Sequence, residues 1–364
     1  MNERGQKILM KGNEAIAEAA IIAGCRAYFC YPITPQTEIA EYMARRMPEV
    51  GGVFLQGESE LAVSYMLFGA SAGGVKVFTS SSSPGISLMQ EGISYIAAAQ
   101  LPVVIANIIR NGPGLGGILP AQSDYFQAVK GGGHGDYRCI VLGPSTIQEA
   151  VDLMILAFEL AEKYRNPAML LADGMIGQMM EPVELPVFES TPPPTVKGHE
   201  EWATIGAKGR KQHLIKTLYL DPVSAYNLNL ILNEKYRKIE ENECRFEEID
   251  TSSKMDVLIV SYGTMARICK TSLTMLAQNG IKAGMLRPIT LYPFPILKIR
   301  ELAERAKVVV SVELSMGQMV EDVERAVQGK APVRFYGSAG GLVPNPDQVT
   351  EGLMKILKEE GVLR

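Results

Sequence analysis

Candidate reactive residues stand at the ends of apolar runs, and the first of them is Thr34. The apolar run at residues 27–30 is followed by Tyr31-Pro32-Ile33-Thr34-Pro35-Gln36. Because Pro32 and Pro35 fix φ and remove backbone donors, the predicted strand ends there. Thr34 therefore lies in a rigid turn at the end of a strand, where open α/β sheets bind ligands.

Two acidic residues, Glu58 and Glu60, mark a second strand end. They follow the apolar residues 53–55 and precede a helix-like stretch at residues 61–66. Acids at such a junction usually cap the helix and complement its dipole. From the residues alone, capping together with Ser59 is the better-supported role for Glu60.

Arg110 follows a third apolar run, residues 103–109. A guanidinium at the end of a buried strand is costly unless an anion pairs with it. The partner is either a protein carboxylate, from Asp124 or Glu60, or the carboxylate of a substrate. The residues alone slightly favour the salt bridge.

Glycine- or serine-rich loops follow predicted strands at residues 80–85, 111–117 and 130–136. Such loops let the backbone approach a ligand closely, although tight turns at a sheet edge have the same composition. The middle loop matches the Gly-x-Gly-x-x-Gly pattern, but no helix opens from it and Pro120 follows, so we reject an NAD site. No P-loop pattern occurs in the sequence.

Composition excludes several classes of function. The 364 residues are 47% hydrophobic and 21% charged, which is typical of a globular protein with a sizeable core. A formal charge of -4 favours neither a nucleic-acid partner nor an anionic membrane. The first residues carry charge, and no apolar run is long enough to span a bilayer. We expect a soluble, cytoplasmic protein.

The cysteines and histidines show no metal-ligand spacing. Free thiols in a reduced compartment are the simplest interpretation. We therefore expect no metal held by this chain alone, and any iron-sulfur cluster must belong to another chain. The residues concerned are Cys25, Cys30, Cys139, Cys244, Cys269, His134, His199 and His213.

Alternating helical stretches and short apolar runs predict a parallel α/β domain over residues 1–181. The run at residues 103–109 is apolar throughout, as strands buried on both faces are. Predicted strands lie at residues 27–30, 53–55, 76–79, 102–109, 139–142 and 168–172. Predicted helices lie at residues 12–24, 38–45, 61–72, 87–99 and 147–164.

The pattern breaks over residues 182–253, which we interpret as a proline-rich connector followed by an amphipathic helix. Pro182, Pro186 and the run Pro192-Pro193-Pro194 argue against a regular β ladder there. Apolar residues among charges at residues 223–246 form one stripe of a helix. The alternation resumes over residues 254–364, which predicts a smaller parallel α/β domain.

Five motifs occur together and in order, and together they resemble the α subunit of 2-oxoacid:ferredoxin oxidoreductases, in particular the 2-oxoisovalerate branch. The resemblance covers nearly the whole chain and implies a pyrimidine-type thiamine diphosphate-binding domain, followed from Met255 onward by a transketolase C-terminal-like domain. The motifs are Tyr31-Pro32-Ile33-Thr34-Pro35, Glu58-Ser59-Glu60, the stretch 82–92 that begins Ser82-Ser83-Pro84-Gly85, Arg110-Asn111-Gly112-Pro113-Gly114-Leu115-Gly116, and the stretch 130–138 that begins Lys130-Gly131-Gly132-Gly133-His134.

The resemblance implies oxidative decarboxylation of a branched-chain 2-oxo acid, 3-methyl-2-oxobutanoate, with CoA to acyl-CoA, CO2 and reduced ferredoxin. It implies that Glu60 is catalytic and hydrogen-bonds N1′ of the thiamine pyrimidine. It implies that Thr34 and Arg110 hold the substrate carboxylate. The further cofactor-binding positions that it implies are Tyr31, Pro32, Ser83 and Gly85.

The resemblance also implies partner chains. A Gly-Asp-Gly followed at the proper distance by Asn, which binds the magnesium diphosphate, is missing, since Asp173 and Gly174 have no suitable Asn after them. A β subunit that binds the thiamine diphosphate tail is expected to supply it, with Mg and 4Fe-4S clusters in partner chains. A γ subunit and a ferredoxin-like δ subunit are expected too, and this chain alone is expected to be inactive.

One departure and several alternatives accompany the resemblance. The usual Ser-Ser-Gly-Pro-Gly loop has Ser83 in place of its first glycine, so the backbone there is less free to adopt positive φ. The alternatives are the 2-oxoglutarate or pyruvate branch, a dehydrogenase component that passes acyl groups to lipoyl domains, and a non-catalytic paralogue that binds a partner.

Overall fold

The computed structural model describes residues 4–187 and 199–363. In chain order the elements are β1 (Arg4–Lys11), α1 (Gly12–Ile22), β2 (Ala27–Cys30), α2 (Thr37–Glu49), β3 (Val53–Gln56), α3 (Glu60–Ala72), β4 (Val77–Ser81), α4 (Ser83–Ala98), β5 (Val104–Ile109), α5 (Tyr125–Val129), β6 (Ile140–Leu142), α6 (Ile147–Tyr164), β7 (Ala168–Asp173), α7 (Gly174–Gln178), β8 (Met180–Pro186), α8 (Pro222–Asn242), β9 (Phe246–Ile249), β10 (Met255–Val260), α9 (Gly263–Gln278), β11 (Ala283–Pro288), β12 (Thr290–Tyr292), α10 (Ile296–Ala303), β13 (Ala306–Glu313), α11 (Met319–Val327), β14 (Val333–Gly337) and α12 (Pro346–Glu359).

In the described part of the chain, one sheet has seven strands in the order β12-β6-β7-β5-β4-β2-β3. All are parallel except β12, which runs antiparallel to β6. Every residue of the central strand β5 is buried, as expected for a strand covered by helices on both faces. The predicted parallel α/β fold is confirmed.

Within the same described residues, a second sheet has the order β14-β13-β10-β11-β9. Its first four strands are parallel, whereas β9 runs antiparallel to β11. The prediction missed β9 and β12, because antiparallel strands of three or four residues at sheet edges carry little periodic signal.

The connector contains more regular structure than predicted. β8 pairs antiparallel with β1, so the expectation that Pro182 and Pro186 exclude a ladder is wrong. A two-stranded pair has free edges, where a missing N–H breaks no second ladder. The run Pro192-Pro193-Pro194 lies outside the described residues. The predicted amphipathic helix is α8, which packs on the core beneath the first sheet through Leu232, Tyr236 and Ile239.

Gln122 joins the two sheets at the carboxyl ends of their strands. Its backbone N–H donates to Leu314 O (2.7 Å), its side-chain Nε2 to Tyr262 O (2.8 Å), and its Oε1 accepts from Leu314 N (2.8 Å). One apolar core includes residues of both sheets, with the rings of Tyr125 and Tyr262 5.9 Å apart. No helix within residues 4–187 and 199–363 combines the length and the apolar character needed to cross a membrane.

Candidate functional site at the carboxyl edge of the first sheet

The predicted site residues meet at one edge of the seven-stranded sheet. Thr34, Glu60, Ser83 and Arg110 follow β2, β3, β4 and β5, and these strands are neighbours in the order β5-β4-β2-β3. In the sheet, β3 lies on one side of β2 and β4 on the other, so the connection from β3 to β4 reverses the direction in which strands are added. Open α/β sheets bind ligands in the crevice at such a reversal of strand order. The topology therefore brings four separate motifs into one place.

Glu60 is the first residue of α3 and is only 6% exposed. The cap of this helix is Ser59, whose side chain accepts from Ala62 N (3.2 Å). The Glu60 carboxylate accepts a hydrogen bond from no group in the described residues, although buried polar groups nearly always have partners. Capping is thus the role of Ser59, and the Glu60 carboxylate is left available to a ligand.

Gly85, in the first turn of α4, makes room for that carboxylate. A Cβ added at Gly85 would lie 2.6 Å from Glu60 Oε1 and 3.0 Å from its Cγ, and closer still to Ser81 Oγ. Those separations are well inside ordinary van der Waals contact. The glycine is therefore required for space beside Glu60.

Three buried hydroxyl groups near the end of β4 lack hydrogen-bond partners among the described residues. Thr79 Oγ1, Ser81 Oγ and Ser82 Oγ, at the end of β4, have no hydrogen-bond partner in the described part of the chain. Of these, Ser81 Oγ lies against Gly85 together with the Glu60 carboxylate, and an unmade hydrogen bond costs about 1–3 kcal/mol. A polar heterocycle such as the thiamine pyrimidine fits this set of acceptors and donors.

Arg110 is 8% exposed, and its guanidinium bonds to backbone carbonyls rather than to carboxylates. Nη1 donates to Thr34 O (3.0 Å) and Nη2 to Leu115 O (3.2 Å), while Nε is buried without a partner. No carboxylate of the described residues forms a salt bridge with it. The predicted salt bridge to Asp124 or Glu60 is therefore wrong, because both loops around Arg110 turn carbonyl groups toward it. Its charge remains uncompensated.

The other predicted positions lie around the rim. Thr34 is exposed, with its carbonyl fixed by Arg110 and its side chain free to reach a ligand. Tyr31 and Pro32 are exposed on the same turn, and Glu58 is exposed beside α3. The turn thus places Thr34 next to the guanidinium, as two carboxylate-binding groups require.

Ser83 occupies ordinary helical backbone as the first residue of α4, so the loss of glycine there does not demand positive φ. Its Oγ accepts from Arg110 N (3.1 Å) and donates to Arg110 O (3.1 Å). Its own N–H donates to Asn107 Oδ1 (3.2 Å). The sequence departure therefore adds a side chain that binds the backbone of Arg110.

Asn107 and Asp124 extend this hydrogen-bonded group. Asn107 is fully buried in β5, and its Nδ2 donates to Asp124 Oδ2 (2.9 Å). Burial raises the pKa of the Asp124 carboxyl, and hydrogen bonds from Ser83 and Asn107 partly oppose that rise. Sequence reasoning missed Asn107, although an amide in an otherwise apolar strand was a visible signal.

Two cavities open beside the site. The interdomain cavity, of about 360 Å³, lies between the first sheet and the loop after β13, and its wall includes Ser83, Asp124 and Gln318. The Thr34 cavity, of about 510 Å³, lies on the other side of the Thr34 turn, and its wall includes Glu38. Neither wall, as far as the structure describes the chain, contains Lys or Arg. A ligand group that enters either cavity meets a carboxyl and no cation.

Two family models match the chain. Residues 18–242 match the thiamine diphosphate-binding domain of pyruvate flavodoxin/ferredoxin oxidoreductases. Residues 255–349 match core domain II of pyruvate:ferredoxin oxidoreductase. Together these matches span both sheets, with the site in the first.

Individual relatives agree with the family models. The chain is 47% identical over 335 residues to the ketoisovalerate oxidoreductase subunit VorB of Methanothermobacter marburgensis, covering 92% of this chain and 93% of the relative. It is 34% identical to the 2-oxoglutarate synthase subunit KorA of the same organism, covering 96% of this chain and 99% of the relative. These values extend the similarity over nearly the full length of both subunits.

A solved structure shares the fold. The 2-oxoglutarate:ferredoxin oxidoreductase from Magnetococcus marinus superposes with a TM-score of 0.85 at 24% identity. The superposition covers 97% of this chain and 65% of that one, so the present chain spans about two thirds of its length. At this identity the likeness bears on the fold alone.

Proposed function

This chain belongs to the pyruvate flavodoxin/ferredoxin oxidoreductase family of thiamine diphosphate-binding proteins, and from that membership we propose that it is the α-type subunit of a 2-oxoacid:ferredoxin oxidoreductase. The reaction is oxidative decarboxylation of a 2-oxo acid with CoA to acyl-CoA and CO2, and the electrons released reduce ferredoxin. The observation that carries the proposal is that two unpaired groups lie at the same sheet edge. They are the Arg110 guanidinium, which has no carboxylate partner among the described residues, and the buried Glu60 carboxylate, which accepts no hydrogen bond from them.

Each of these residues has a part that its surroundings suit. Thiamine diphosphate, when bound, supplies the nucleophilic carbon and the electron sink that decarboxylation of a 2-oxo acid requires. Glu60 holds and returns a proton at the pyrimidine N1′, shielded from water beside Gly85. Arg110 and the Thr34 hydroxyl bind the substrate carboxylate, since a planar guanidinium matches a planar anion. Tyr31, Pro32 and Ser83 line the approach.

A branched aliphatic 2-oxo acid fits the surroundings better than 2-oxoglutarate does. A second substrate carboxylate needs a cation, and neither cavity wall offers one among the described residues. In the Thr34 cavity, burial alone raises the pKa of Glu38, but hydrogen bonds, including one from Asn13, outweigh it and lower that pKa. The Glu38 charge is already paired with Lys11 Nζ (3.3 Å), and Leu119 and Met175 in the same wall accept an alkyl chain. The name of the VorB relative points the same way.

The proposal includes partner chains. A β subunit binds the magnesium diphosphate end of the cofactor and carries 4Fe-4S clusters, and γ and ferredoxin-like δ subunits complete the complex. Relatives named as subunits of oxidoreductases support this assembly. The contribution of the present chain is the proton-handling carboxyl and the anion-binding arginine.

The test compares Glu60→Gln with Glu58→Gln in the purified complex. Gln keeps the shape of Glu60 but cannot carry the proton, so CoA-dependent reduction of a viologen dye by 3-methyl-2-oxobutanoate falls by a factor on the order of 10² to 10⁴. Glu58 is exposed two residues away, and its variant keeps wild-type turnover. Full activity of Glu60→Gln contradicts the assignment of Glu60. A wild-type complex that prefers 2-oxoglutarate contradicts the substrate class.

A further inference from the structure

The turn between β4 and α4 is tied to the end of β5 by the side chain of Ser83. Pairing between β4 and β5 ends at Ser81 and Asn107, so the backbone of Arg110 lies beyond that ladder. The Ser83 hydroxyl takes up both the N–H and the carbonyl of Arg110, each at 3.1 Å. A single side chain thus replaces the ladder bonds that β4 no longer supplies.

Asn107, itself held by Asp124, fixes the backbone that carries this hydroxyl. Asn107 Oδ1 accepts from Ser83 N (3.2 Å), and Asn107 Nδ2 donates to Asp124 Oδ2 (2.9 Å). Because Asn107 is fully buried, its bond to the Ser83 N–H fixes the backbone from which the hydroxyl reaches Arg110.

The guanidinium depends on this backbone anchor. Two of its nitrogens are fixed by the carbonyls of Thr34 and Leu115, which lie on loops rather than on strands. The Cα of Arg110 is therefore the stable end of the side chain, and Ser83 holds it on one side while a β-bridge to Pro120 holds it on the other. A planar, two-pronged contact with a carboxylate loses strength quickly when its direction changes.

From these contacts we propose that Ser83 is a positioning residue, which sets the Arg110 guanidinium for the carboxylate of the 2-oxo acid with the support of Asn107 and Asp124. This inference rests on the proposed function, because it takes Arg110 as the anion-binding group. Ser83 replaces a glycine of the family loop, and this inference gives that serine a role in substrate affinity.

The test uses the purified complex with Ser83→Ala, Ser83→Thr and Ser253→Ala. Loss of the hydroxyl raises the KM for the 2-oxo acid by roughly 3- to 10-fold, the worth of about one neutral hydrogen bond, while the KM for CoA and kcat stay close to wild type. Ser83→Thr keeps a hydroxyl and restores the KM. Ser253, in the bend before β10, is exposed, and its change to Ala leaves both constants unaltered.

A merely structural role gives a different result. If Ser83 only stabilised the fold, Ser83→Ala would lower the active fraction and hence kcat, with an unchanged KM for the 2-oxo acid, and that outcome overturns the inference. Ser83→Gly is smaller still and replaces the Ala variant if the latter does not assemble. A wild-type complex without any oxo-acid-dependent dye reduction refutes the proposed function itself, whereas an active wild type with an unaltered Ser83→Ala variant refutes only this inference.

Discussion

Replacing Gly85 by Ala tests whether the space beside Glu60 matters for catalysis. The new Cβ would lie 2.6 Å from Glu60 Oε1, whereas relaxed contacts begin near 3.4 Å. The carboxylate must therefore move by roughly 1 Å, and a displacement of that size in a reacting group costs about 10²-fold in rate. Overpacking costs about 1–3 kcal/mol, which the better helix propensity of Ala partly offsets. We expect a large loss of turnover with a small loss of stability.

Gly69→Ala is the matched control for that change. Gly69 lies on α3, the helix that begins with Glu60, and a Cβ there meets no atom within 4 Å. This variant should keep wild-type turnover and gain up to about 1 kcal/mol of stability. Oxo-acid-dependent dye reduction and thermal unfolding of the complex measure both quantities. Wild-type turnover of Gly85→Ala would refute the reasoning, because it would mean that Glu60 tolerates displacement.

Two further predictions concern stability. Burial lowers the pKa of Lys235 to about 7, and the Nζ of this buried lysine donates to Arg165 O (2.8 Å). Because the pKa is lower in the folded chain, the unfolded chain binds more protons than the folded one between pH 7 and about 10. The melting temperature of the wild type should therefore rise relative to Lys235→Met across that interval, and a constant difference contradicts the shift. Arg287 is 4% exposed and bonds Glu149 (2.7 Å) and Glu247 (2.7 Å). Arg287→Met should lower the free energy of urea unfolding by about 3 kcal/mol, because it leaves those carboxylates without the buried arginine. A loss below about 1 kcal/mol contradicts this prediction.

The elements around the site were predictable because they repeat one local pattern. The strand at residues 27–30 and the helix at residues 147–164 have the predicted bounds. Thr34 was singled out because prolines interrupt an apolar run at a strand end, whereas the residues alone favoured capping for Glu60 and only the family resemblance implied its catalytic role. That these residues lie close together follows from the positions of the strand ends in the sequence and from the rule that parallel strands end at the same edge of a sheet.

The partners of Arg110 were not predictable in this way. The sequence shows that a buried guanidinium needs acceptors, and it offers Asp124 and Glu60 as the obvious ones. The carbonyls of Thr34 and Leu115 carry no signature in a sequence, because every residue has a carbonyl and only loop geometry aims it. β12 was missed for a related reason, since its partner β6 lies about 150 residues earlier in the chain.

The buried Glu313 carboxylate, at the end of β13 in the second sheet, holds the loop that forms one wall of the interdomain cavity. It accepts from the backbone N–H groups of Gln318 and Met319 (both 2.9 Å) and Val320 (2.8 Å), at the start of α11. These bonds fix the loop that forms one wall of the interdomain cavity, and Gln122 clamps the same loop to the first sheet. Displacing this loop from the first sheet would break buried hydrogen bonds at both places, each costly to leave unmade. The loop and the Arg110 edge are therefore joined through buried hydrogen bonds, so side chains of the second sheet's loop line the same cavity as Ser83 and Asp124.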